Sequence, residues 1–179
     1  MVSEHEQLST SRMLLGLAAA SVVGLASYVF LLFGADLLQA AVAAVISGHE
    51  WEATNVSELA AIYLVFGWPV ALILSLAVGY PVWKRADSRP FRSARAALSF
   101  GAVVGALIGL GFTILTLVVG LRTYLDHGTS FDSWSYGYQV TRDGLPTLIG
   151  WAFELLNILY LAAAGAIGGL TARRVALPR

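Results

Sequence analysis

Glu154 is the residue best placed to do chemistry in this sequence, because it is the sole charged side chain inside any of the long apolar runs. A carboxyl facing lipid is costly even on lenient insertion scales, so it should turn inward and find donors among neighbouring helices. Asn157, three residues on, shares its helical face. At about 1.5 Å of rise per residue, Glu154 lies roughly 10 Å inside its run. Thr113 and Thr116 fall at a similar depth in another run, with Ser27, Tyr28 and Tyr63 slightly nearer the surface. Carboxyl, amide and hydroxyl groups gathered in one layer have two uses. They hold helix to helix, at about 1 kcal/mol or less per contact, or they line an intramembrane polar site through which a proton or ion passes.

Other chemistry is excluded by composition or by context. The sequence has no cysteine, which removes disulfides, thiolate catalysis and cysteine-bound zinc. His5, His49 and His127 all stand outside the apolar runs. No H-E-x-x-H, G-x-S-x-G, Walker loop or dinucleotide fingerprint occurs. His49, Glu50 and Glu52 would offer oxygen and nitrogen ligands if they met Asp126, His127 and Asp132, but solvated loop charges explain them more simply. The expectation is therefore no metal, no cofactor and no enzymatic activity.

The elements that position Glu154 must be membrane helices. With 58% hydrophobic and 12% charged residues, and a mean hydropathy of +0.74, the chain is too apolar for an ordinary soluble domain. Four uncharged or nearly uncharged runs, at about 13–33, 59–83, 96–121 and 147–171, are each long enough to cross a bilayer. The first run exceeds a signal-peptide core and follows an acidic tail, so it reads as a retained span. The fold class is all-α: a polytopic membrane protein, one transmembrane domain over 1–179, forming a compact bundle of four helices. Residues 36–47 carry an apolar face but are too short to span alone; they extend the first helix or lie along the interface. Asn55 and Glu58 resemble a capping box at the second helix, and Pro69 should kink that helix. Tyr80, Trp83 and Lys84 read as an interfacial anchor.

The third run carries a ladder of small residues. Ala97, Gly101, Gly105 and Gly109 recur every four positions, continued by Thr113, Thr116 and Gly120. Such a stripe lets a neighbouring backbone approach closely, which makes this helix the expected organising member of the bundle. Gly16, Ala20 and Gly24 form a lesser stripe on the first helix.

Charge sets the expected orientation. Lys84, Arg85, Arg89, Arg92 and Arg95 crowd the middle loop, Arg12 precedes the first span, and Arg173, Arg174 and Arg179 close the chain. Only Arg122 and Arg142 remain for the other side, so the positive-inside rule places both termini in the cytoplasm. The segment 122–144 is rich in aromatic residues (Tyr124, Phe131, Trp134, Tyr136, Tyr138). It suits either the outer leaflet or a protein partner.

These features describe a multi-pass protein of the cell membrane, the inner one in a Gram-negative host. Its expected partners are the lipid bilayer and either another membrane protein or a second copy of itself; no nucleic acid is expected. The leading functional expectation is an interaction protein: an accessory or assembly subunit. The alternative is a small transporter or channel built on the layer around Glu154.

Overall fold

Long runs without charge suit helices, because a helix satisfies its own peptide groups whatever surrounds it. The computed structural model describes residues 10–47, 54–85, 93–125, 131–135 and 137–177. Helix α1 spans Thr10–Ser47 and continues through Gly34, so residues 36–47 prolong the first helix along its own axis. Helix α2 covers Thr54–Leu74 and passes through Pro69. A π-helical turn follows at Ser75–Gly79, then α3 at Tyr80–Arg85. Helix α4 spans Ala94–Leu125 and α5 spans Leu148–Ala176. Among the described residues four segments are long and apolar enough to cross a membrane: Thr10–Gly34, Ala60–Arg85, Ala94–Leu125 and Leu148–Ala176.

Both long helices of the second half start on a hydroxyl cap, which satisfies an amide that would otherwise lack a partner. The Ala96 amide donates to Ser93 Oγ at 3.0 Å, and the Gly150 amide donates to Thr147 Oγ1 at 3.1 Å. Pro146 stands just outside α5, in a strand.

The chain is not wholly helical. Strands β1 (Ser133–Ser135), β2 (Tyr138–Arg142) and β3 (Leu145–Pro146) form an antiparallel sheet in chain order. This corrects the all-α expectation. Arg142 pairs with Leu145 across Asp143 and Gly144, whose φ values are +50° and +83°. Two consecutive left-handed residues in a two-residue loop make the mirror-image turn that matches strand twist. Asp132 knits the sheet together, accepting from the Asp143 amide at 2.8 Å and from Gln139 Nε2 at 3.1 Å.

Glycine docks this sheet onto the helices. A Cβ on Gly120 would collide with the carbonyl of Gly144, and one on Gly150 with that of Val140. The sheet therefore rests on the end of α4 and the start of α5.

The organising helix is α5, which corrects the expectation that α4 holds the bundle together. It packs along both α4 and α1, whereas α2 leans mainly on α1. The reason is that α5 has two small-residue faces. Gly165 and Gly169 meet Gly101, Gly105 and Ala97 of α4, and no Cβ fits at any of these glycines without striking backbone. Ala164, Gly168 and Ala172 face Gly24, Ala20 and Gly16 of α1. One helix thus serves as the slender middle of a row of three.

Candidate functional site

Because α2 rests mainly on α1, and its segment meets α4 chiefly at the π turn, a cleft remains between α2 and α4. Its floor is α1 and α5. It encloses about 500 Å³ and runs from Tyr28, Tyr63, Thr116 and Glu154 at the sheet end to Trp83 and Arg173 at the other. That second end, which carries the arginines of the α5 terminus, is the basic end.

Two side-chain pairs cap the sheet end. Thr113 Oγ1 donates to Glu154 Oε2 at 2.7 Å, and Tyr28 Oη donates to Asn157 Oδ1 at 2.7 Å. Glu154 and Asn157 lie about 4.5 Å apart along the axis of α5, so α4 and α1 each send one hydroxyl to the same stretch. Thr113 is only 4% exposed. Such contacts contribute about 1 kcal/mol each between membrane helices.

The remaining members of the sequence-derived layer divide. Tyr63 lines the cleft and packs edge-on against Phe33, with centroids 5.5 Å apart. Thr116 also lines it, but its hydroxyl donates to the Phe112 carbonyl at 3.0 Å. Ser27 turns back onto its own helix, donating to the Val23 carbonyl at 2.8 Å. Arg122, the one basic residue of α4 towards the sheet end, is exposed near the end of that helix. Glu154 accepts from the Thr113 hydroxyl. Of the ladder residues, Ala97, Gly101 and Gly105 abut α5 backbone, and Gly109 meets Ile158 and Leu161.

The basic end is closed by aromatic packing. Trp83 is 2% exposed and sits in a core with Leu17, Ala172 and Ala176. Its ring meets Phe100 edge-on at 6.5 Å. The interfacial-anchor expectation for Trp83 is thereby corrected: the turn at Ser75–Gly79 and α3 carry the indole into the bundle. A π turn is a common way of redirecting helical side chains at functional sites. The proposed loop ligands His49, Glu50, Glu52, Asp126 and His127 lie outside the described residues. Among the described residues no group of three metal-ligating side chains gathers.

Sequence reasoning missed the small-residue faces of α5 and the inward turn of Trp83. The first was readable: Gly165 and Gly169, like Ala164, Gly168, Ala172 and Ala176, recur at spacings of four. The second was not, since an aromatic followed by Lys84 and Arg85 looks like any interfacial belt.

Fold and site together define a class: a mostly helical chain with four helices long and apolar enough to cross a membrane, and a cleft between two of them. Comparison with known protein families, curated proteins and solved structures returns no match for this chain.

Proposed function

We propose that this chain is a multi-pass membrane protein that works by binding, without a catalytic step of its own. It acts as an accessory or assembly subunit, with both termini on the cytoplasmic face and the small sheet outside. The cleft flanked by α2 and α4 carries this reading. Residues 61–66 and 68–70 of α2 are all exposed, so this helix has few neighbours of its own chain along its length. On the facing helix, Phe112 lines the cleft and is itself exposed. A helix this sparsely packed suits a bundle completed by another membrane protein or by a second copy.

Photo-cross-linkers at Val70 and Phe112, both exposed and cleft-lining, provide the test in intact membranes. The expected result is one discrete adduct whose partner also co-purifies in mild detergent at fixed stoichiometry. A control at Ile167, exposed on α5, should give none. A monomer without partner, or equal labelling from all three sites, would overturn the proposal.

The length of the cleft favours a second reading, a small transporter. Glu154→Gln would then abolish proton- or ion-coupled flux in proteoliposomes, whereas a binding subunit would keep its partner. Weighing against transport, the half of the cleft nearer the basic end offers few polar side chains: Ser21, Ser75 and Arg173. Ser21 already donates to the Ala18 carbonyl at 2.7 Å.

A further inference from the structure

The dimensions of the cleft select its occupant. Its lining runs from Ala97 to Thr116 on α4 and from Glu154 to Arg173 on α5, a length of roughly 28 Å at the helical rise. Spread over that length, about 500 Å³ amounts to a mean cross-section of roughly 18 Å², the bore being open along one side. Carbon atoms touch at about 3.5–4.0 Å, so the bore admits one hydrocarbon chain. A partner helix, about 10 Å across, can cover the open side of the bore but not enter it. A file of water or ions would meet Leu17, Leu25, Val70, Leu74, Val104 and Ile108 with little to hydrogen-bond.

The polar end selects the head. With Thr113 and Tyr28 donating as described, Glu154 Oε1 is left as an acceptor and Asn157 Nδ2 as a donor among the described residues. A hydroxyl satisfies both at once, since it donates and accepts. An acid head would set a second carboxyl beside Glu154, and no described lysine or arginine lines this end.

We propose that the cleft binds a single-chain amphiphile with an uncharged hydroxyl head, a long-chain alcohol in chemical class. Its head sits between Glu154 and Asn157 and its chain tip near Trp83. This rests on the reading of the protein as one that works by binding, and it names a ligand for the same cleft.

Trp83 serves as the reporter, in the full chain carrying W51F, W68F, W134F and W151F. The probe is octadecanol brominated at its methyl end, added to protein in an unbrominated detergent. Expected is saturable quenching of Trp83, reversed by unbrominated octadecanol. The equivalent brominated acid should bind about tenfold more weakly or less, as an unmatched polar group in a buried site requires. Glu154→Gln should weaken alcohol binding. Filling the bore with Ala71→Phe and Val104→Phe should abolish quenching, with helicity by circular dichroism unchanged.

Quenching that does not saturate, or that survives the filled bore, would overturn the proposal. So would equal binding of acid and alcohol, or an acid whose bromine quenches only when placed next to its head, which would seat that head at Arg173. Should the filled variant fail to fold, reversal by unbrominated octadecanol still decides the matter in the unfilled protein. Loss of alcohol binding with the Val70 and Phe112 adducts intact removes the ligand and leaves the interaction protein; loss of both removes both.

Discussion

A single methyl group distinguishes the glycines that hold this bundle from those that merely occur in it. At Gly105 the added carbon would strike the Leu161 carbonyl, whereas at Gly111 it would meet nothing within 4 Å. Backbone cannot yield as a side chain does, so Gly105→Ala must push α4 away from α5. We expect a loss of about 1–3 kcal/mol, the usual cost of overpacking. Gly111→Ala should be neutral or stabilising by about 0.4–1 kcal/mol, through a less flexible unfolded chain. Reversible unfolding in mixed micelles measures both. Equal effects at the two positions would show that α4 and α5 do not meet on this face. Replacing Tyr28 by Phe and Asn157 by Leu, singly and together, probes the polar layer in the same way. The double-mutant cycle should return a coupling of about 1 kcal/mol, and a coupling of zero would mean the 2.7 Å contact adds nothing to stability.

Among the elements, the sheet departs most from the sequence expectation, although Asp143-Gly144 after Tyr138–Arg142 is a recognised hairpin signature. The aromatic residues of 122–144 serve an interface and a strand equally well, so composition alone does not separate the two. Gly144 is doubly constrained: its φ is +83°, and a Cβ there would lie 2.7 Å from the Gly120 carbonyl. Gly144→Val should therefore release the sheet from α4 while leaving the four long helices intact. Hydrogen exchange would register this as lost protection at the Thr147 amide, which donates to the Val140 carbonyl. Protection unchanged in the variant would mean that the sheet does not depend on its turn.

For the molecule as a whole, orientation follows from the proposed cytoplasmic arginines. Neutralising Lys84, Arg85, Arg89, Arg92 and Arg95 together should yield a mixed population, because the positive-inside bias then rests on the termini alone. Cysteines placed singly at Ser99 and at Thr123, near opposite ends of α4, would report it through an impermeant thiol reagent. In the unaltered background only the Thr123 site should react. Reaction at Ser99 alone would invert the proposed topology.

What the residues determined unaided was the existence, number and approximate limits of the four long helices. A membrane-length stretch without charge has one economical backbone solution, independent of its neighbours. They also located the carboxyl that must turn inward. Tertiary packing decided which helix stands in the middle, since a stripe of small residues shows that a backbone can come close but not whose. It likewise decided that Trp83 closes a cleft rather than meeting headgroups, and that α2 stands away from α4 to leave one. Such choices depend on how all the helices share their narrow faces, a property of no single segment.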